Sequence, residues 1–220
     1  MCYILNIETS TKNCSVSLAL HGEIISSREV ADLGYSHAEK LHVFISEVLA
    51  EHTIQVSDLS AVAISSGPGS YTGLRIGVAA AKGLSYAANI PLIAVDTMEI
   101  LARQIQVGEG VIVPMIDARR MEVYTATFDK DYIKIGPTKA EIISEDFYKN
   151  KDGKVTLLGD GAMKCEGILN QPKFTIFTNA NYPSALQMGN LSYASFKKNE
   201  FVDIAYFEPF YLKEFYTSKG

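Results

Sequence analysis

Apolar positions at the start of the chain fall in short alternating runs before any helical period appears. Tyr3–Ile7 is nearly all apolar, and Cys14–Leu20 sets Cys14, Val16, Leu18 and Leu20 on one side. Glu23–Val30 then leads out of a tight turn at His21-Gly22-Glu23. Connections this short cannot carry a parallel crossover, so the three strands form a meander. A helix follows from Ser36-His37-Ala38-Glu39, whose S-x-x-E spacing lets serine and glutamate satisfy each other's exposed amides. Along it Leu41, Phe44, Ile45, Val48 and Leu49 cover an arc of about 140°. Ala61–Ser65 reads as a buried strand and Ser66–Gly73 as a glycine-rich loop. A helix then runs to about Ala88, Leu92–Val95 is a strand, and another helix starts at Thr97.

The second half begins alike. Val111–Ile116 reads as a strand, Glu122–Phe128 alternates, and a third strand falls within Tyr132–Ile143. Helix is expected over Ser144–Lys149, strand over Lys154–Leu158, and a short helix after Gly159-Asp160-Gly161. Phe174–Phe177 is a strand, and Ser184–Lys198 has helical period. Ile7-Glu8-Thr9 and Ile116-Asp117-Ala118 each end a first strand in a carboxylate. Gly67-Pro68-Gly69 and Gly159-Asp160-Gly161 each stand between strand and helix. These pairs predict a duplicated β-β-β-α-β-α-β unit. That plan is an α/β, two-lobed, actin-like fold (ASKHA, ribonuclease-H-like). Gly108-Glu109-Gly110 breaks the pattern, so the lobes are expected at 1–107 and 108–220, with 206–220 as a tail that could return to the first lobe.

Composition narrows the partners. Among 220 residues 47% are hydrophobic and 20% charged, with a mean hydropathy of +0.07, ample material for a packed core. No apolar run approaches the ~20 residues that span a bilayer. The net charge of −5 makes the chain a poor binder of phosphate backbone, so any nucleic acid is expected to be held by something else. Three scattered cysteines form no C-x-x-C, and the first residues lack the basic segment of a secretory signal. Both point to the cytoplasm.

The strongest chemical feature is Ser65-Ser66-Gly67-Pro68-Gly69-Ser70-Tyr71-Thr72-Gly73-Leu74-Arg75. A glycine-rich turn feeding a helix offers free amides to a phosphate, but the same glycines also suit a tight turn that brings helix and sheet close. No Gly-Lys-Ser/Thr follows, so this is not a Walker A loop. On the helix after it, Gly73, Gly77, Ala80, Ala81, Leu84, Ala87 and Ala88 form one stripe, widened by Leu74, Val78, Ile76 and Gly83. The apolar and small residues span roughly 220°, more than the ~100° that a sheet covers. Either the preceding helix or a second protein is expected to cover the remainder. Histidines His37 and His42 stand too far round their helix to share a metal, and His37 reads as a capping or surface residue. Glu8 is followed by Thr9-Ser10-Thr11-Lys12-Asn13 without a glycine, which hinders close approach of amides to a phosphate. Asp117 with Arg119 and Arg120 forms a polar cluster at a strand end, open to reading as a solvated turn or as a ligand or interdomain contact.

At these residues the chain resembles the bacterial TsaB (YeaZ) family. The resemblance rests on Tyr3–Ser10, Ser36–Glu39, Gly67–Gly77, Ile116–Tyr124 and Glu208–Leu212, and it runs along essentially the whole chain. It implies a non-catalytic subunit in making threonylcarbamoyladenosine at position 37 of tRNAs that read codons beginning with A. The catalytic relative, TsaD, would be the partner, met through first-lobe helices, with a TsaE-like ATPase joining and tRNA met only through the complex; family members also form homodimers through the same kind of surface, and the sequence leaves monomer and homodimer both open for the chain alone. ATP or ADP and a metal would belong to those partners, and this chain would hold none by itself. A TsaD-like chain would carry an H-x-x-x-H metal pair where Asp96-Thr97-Met98-Glu99-Ile100 stands. The alternative is a stand-alone actin-like enzyme, either a nucleotide-dependent phosphotransferase or a glycoprotease-like metallopeptidase.

The expected partner contacts are Leu41, Phe44 and Val48 on the first helix, with Tyr71, Gly73, Gly77, Ala80, Ala81 and Leu84 on the second. Gly77→Arg or Ala81→Arg is expected to abolish association while leaving the chain folded. Glu8, Thr9, Ser10, Gly67, Gly69, Asp117 and Arg119 are candidates for a nucleotide or interdomain contact, and no metal or catalytic residue is assigned.

Overall fold

A computed structural model describes residues 1–31, 37–149 and 152–213. Ser36 of the expected capping box and most of the tail 214–220 lie outside them. The first unit is β1 (Tyr3–Glu8), β2 (Asn13–Leu20), β3 (Glu23–Ala31), α1 (His37–Ala50), β4 (Leu59–Ser65), α2 (Tyr71–Ala88), β5 (Leu92–Val95) and α3 (Thr97–Ala102). The second is β6 (Val111–Asp117), β7 (Glu122–Thr125), β8 (Phe128–Asp129), β9 (Lys139–Ile142), β10 (Val155–Leu158), α4 (Asp160–Lys164), β11 (Phe174–Phe177) and α5 (Met188–Lys198).

The strand orders are β3-β2-β1-β4-β5 and β9-β7-β6-β10-β11, with β8 on the flank of β6. In each sheet the first three partners are antiparallel and the last two parallel, so one plan is used twice. The expected duplication is present, with losses in the second copy. Where helix was expected over Ser144–Lys149, the chain makes turns instead. Phe147 N bonds to Ser144 O and Lys149 N to Asp146 O, both three-residue reaches, in a stretch too short to repay helix nucleation.

Alternation in β1 and β4 splits the first core. Leu5, Ile7, Val62 and Ile64 meet α1 and α2 on one face. On the other face, Ile4, Ala61, Ala63, Ile93 and Val95 meet Met188 at the start of α5. Meanwhile Met98, Leu101 and Ala102 of α3 pack on Ile112, Ile116 and Leu158 of the second sheet. Each unit's last helix therefore crosses to the other unit's sheet. The span 108–220, expected as one lobe, divides accordingly: 111–177 builds the second sheet, and the chain from Pro183 on lies against the first. Asn13 Nδ2 donates to Pro183 O at 3.0 Å and Ser17 Oγ to Ala185 O at 2.8 Å. Val202 bridges to Leu92, and Phe210 N donates to Ser66 O at 2.7 Å.

Candidate functional site: a sealed loop junction and an open helical face

Glu8 ends β1 fully buried. Its Oε1 accepts from Ser10 N at 2.5 Å, while Oε2 and the hydroxyls of Ser10 and Ser65 have no hydrogen-bond partner among the described residues. Burial pushes the Glu8 carboxyl up to about 7, and the nearby Ser10 hydroxyl and amide and Ser65 hydroxyl offset only part of that cost. Glu8 in turn raises the buried Cys14 thiol, which desolvation has already pushed up.

The glycine loop closes over this carboxyl. Ser70 N donates to Ser10 O at 2.6 Å and Thr9 Oγ1 to Gly73 O at 2.8 Å. A Cβ at Gly69 would strike the Ser10 carbonyl, and one at Gly73 or Gly77 would strike Thr9. Gly67 (φ +100°) holds a conformation that suits glycine, with the Phe210 carbonyl against it. The amides of Ser66, Gly67, Ser70 and Gly73 bond to Val95 O, Thr97 Oγ1, Ser10 O and Ser70 Oγ. These four are among the donors that a phosphate at this helix start would use. Glu8, Thr9 and Ser10 are all fully buried, so the residues present do not fit a nucleotide phosphate here. Of the two readings the loop allowed, the geometry supports close backbone packing. The second unit repeats it, since Gly159 and Gly161 press on Met115 and Ile116 in the same manner.

His37, expected at a cap or on the surface, is buried, and its Nε2 lies 2.8 Å from the Thr11 carbonyl oxygen. That carbonyl fixes Nε2 as the donor, and burial lowers the pKa, so the ring stays neutral and anchors the β1–β2 turn. Asp117 and Arg119 are exposed on the β6–β7 hairpin, whereas Glu8 is buried. Asp117 N donates to Asp160 Oδ1 at 2.9 Å, Arg119 N donates to Asp117 Oδ1 at 2.7 Å, and Lys164 pairs with Asp117. Burial raises the Asp160 carboxyl, opposed by the Asp117 amide, and the Lys12 charge reaches it from the first unit. Among the described residues no group of three or more His, Cys, Asp or Glu could hold a metal.

The expected docking residues divide in two. Leu41, Val48, Gly73, Gly77 and Ala81 are buried in the chain's own core and offer nothing to a partner in this structure. Gly77→Arg would drive a side chain into Thr9 and Ile64, so it breaks the fold rather than an interface. Phe44, Tyr71, Ala80 and Leu84 are half-buried. Tyr71 lies under the Arg75 guanidinium at 4.2 Å and beside the Tyr211 ring at 4.9 Å. Ile76, Ala80 and Leu84, like Val202, Ile204 and Phe207 of the C-terminal segment, pack against the first core, and Lys82 Nζ donates to Ala205 O at 3.2 Å, so the C-terminal segment reaches α2 and contributes to the cover that the wide stripe demanded. What stays open on α2 is Thr72, Arg75, Ala79, Gly83, Tyr86 and Ala87, beside exposed Val43 of α1 and exposed Tyr206 of the C-terminal segment. Ala79 and Tyr206 were not singled out from the sequence. The available signal was Gly83, a mid-helix glycine that touches nothing, because a glycine kept without internal contact points outward.

A family model described as TsaD, tRNA N6-adenosine threonylcarbamoyltransferase, matches residues 31–212. The tRNA threonylcarbamoyladenosine biosynthesis protein TsaB of Bacillus subtilis is 32% identical over 71% of this chain and 70% of its own length. The chain belongs to the TsaB family. The Haemophilus influenzae TsaB is 28% identical over 98% of this chain and 95% of its own length. YeaZ from Pseudomonas aeruginosa superposes with a TM-score of 0.82 at 27% identity, over 96% of this chain and 100% of that one. That superposition spans both sheets of the chain.

Proposed function

We propose that this chain acts in tRNA threonylcarbamoyladenosine biosynthesis as a non-catalytic subunit, docking a TsaD-related partner through the open faces of α1 and α2. The observation that carries the reading is the sealed junction: Glu8, Thr9 and Ser10 are fully buried, and the amides of Ser66, Gly67, Ser70 and Gly73 are spent on internal bonds. ATP or ADP and a metal then belong to partner subunits, a TsaE-like ATPase among them, and tRNA is met only through the assembly. Docking would bury low-profile residues, Ala79, Gly83 and Ala87, which let a second helix approach closely, with Tyr86 and Tyr206 as larger anchors at the rim.

The test uses Gly83→Arg and Ala79→Arg, which project from the open face and leave the chain folded. Both are expected to lose co-purification with the TsaD-related partner while retaining the native thermal transition. Normal recovery of the complex would overturn the docking face. Turnover or stoichiometric metal in the pure chain would overturn the non-catalytic role.

A further inference from the structure

The helices that roof the two sheets are unequal. α5 lays 11 residues along the back of the first sheet, whereas α3, with 6 residues, packs Met98, Leu101 and Ala102 with Ile112, Ile116 and Leu158 of the second. In register, Ile116 stands opposite Tyr124, Tyr124 opposite Ala140, and Glu122 opposite Ile142. Partners across a ladder share a face, and so do residues two apart, so all of these side chains lie on the face that α3 covers. The cover stops short of the outer strand. Ile142 belongs to none of the buried clusters and is 72% exposed on β9.

Lys213, the last of the described residues, arrives at this uncovered end. It pairs with Glu122, and its Nζ lies 6.0 Å from the centre of the Tyr124 ring. The sequence continues as Glu214-Phe215-Tyr216-Thr217-Ser218-Lys219-Gly220. Phe215 comes two residues after Lys213, so an extended chain would place it within about 7 Å and on the side that Lys213 turns to the sheet. Ile142 stands only one strand spacing, about 5 Å, from Glu122.

We propose that residues 214–220 dock across β7 and β9 as a strap, with Phe215 seated on Ile142. The strap completes the roof that α3 leaves short, and the Lys213–Glu122 pair pins its start. Apolar surface on both sides of the contact leaves water, while Glu214 points to solvent. The C-terminal segment that carries Tyr206 is thereby tied to the second unit.

The test uses the full chain with ¹³C-labelled isoleucine methyls. A nuclear Overhauser effect is expected between the Ile142 δ1 methyl and the Phe215 ring, and it should vanish in Phe215→Ala while the other isoleucine methyl signals stay in place. Trypsin should cut after Lys213 at least ~10-fold faster in Phe215→Ala than in the unaltered chain, because the strap must lift before the bond is reached. Mixing chains labelled at isoleucine with chains labelled at phenylalanine separates the two possible sources of the ring. An effect seen only between different chains would assign the patch to a second copy and overturn the proposal, as would its absence or equal cleavage of the two proteins.

Discussion

Glu8 is the residue whose chemistry is furthest from ordinary. Burial moves its carboxyl from the ordinary 4.5 of the unfolded chain up to about 7 in the folded one, because desolvation penalises its charged form and the nearby Ser10 and Ser65 groups offset only part of that. The folded state therefore binds the extra proton between those values. The stability this confers is complete below 4.5 and is lost as the pH rises through 7, a swing of roughly 3 kcal/mol. Glu8→Gln, which keeps the shape and cannot ionise, should be near neutral at pH 4.5 and stabilising by about 3 kcal/mol at pH 8. Urea unfolding at the two pH values measures this, and equal midpoint shifts at both would refute a buried neutral acid. The sequence placed Glu8 at a strand end and gave no sign of its burial. The groups that enclose it, Ser65 and the glycine loop, come from residues more than fifty positions away.

The same limit governs α2 as an element. A stripe of small residues as wide as this one has no phase, so periodicity alone could not say which edge faces the sheet. The structure assigns opposite roles to two glycines six residues apart. A Cβ at Gly77 collides with Thr9 Oγ1 and crowds Ile64 Cδ1, whereas one at Gly83 meets open space. Gly77→Ala should cost roughly 1–3 kcal/mol as overpacking, and Gly83→Ala should gain up to about 1 kcal/mol from helix propensity. Thermal denaturation of the two single variants checks both signs, and a shared sign would mean that the helix lies differently on its sheet. The strands were more legible, because a period of two leaves one phase. Of the segment 199–213 little was legible beyond the expectation that the tail from 206 could return to the first lobe. Backbone bonds such as Val202 N to Leu92 O and the turn at Asp203 help to hold it and leave little trace in side-chain pattern, while Val202, Ile204 and Phe207 pack against the first core.

At the scale of the molecule the two units are tied at several points. Lys134 pairs with Asp96 at 2.5 Å, Lys213 pairs with Glu122, Tyr132 Oη donates to Ile105 O at 2.7 Å, and Gln104 Nε2 donates to Tyr182 O at 2.5 Å. Together with the crossed helices, these leave no simple hinge between the sheets. Duplication was visible in the sequence through the paired strand ends and glycine turns. The crossing was not, since an amphipathic helix does not record which sheet it will meet. The consequence is testable. Fragment 1–107 should not fold alone, because its Ile4, Ala61, Ala63, Ile93 and Val95 face would be left bare. Co-expression with 108–220 should restore a soluble pair. A dispersed NMR spectrum from 1–107 by itself would show that the units are independent.

The crossing of α5 also sets an order of events during synthesis. The ribosome delivers the strands of the first sheet early, yet the helix that roofs their back, Met188–Lys198, emerges only after the whole second sheet has been made. Until then the nascent chain carries a half-finished, sticky domain whose native packing waits on that helix.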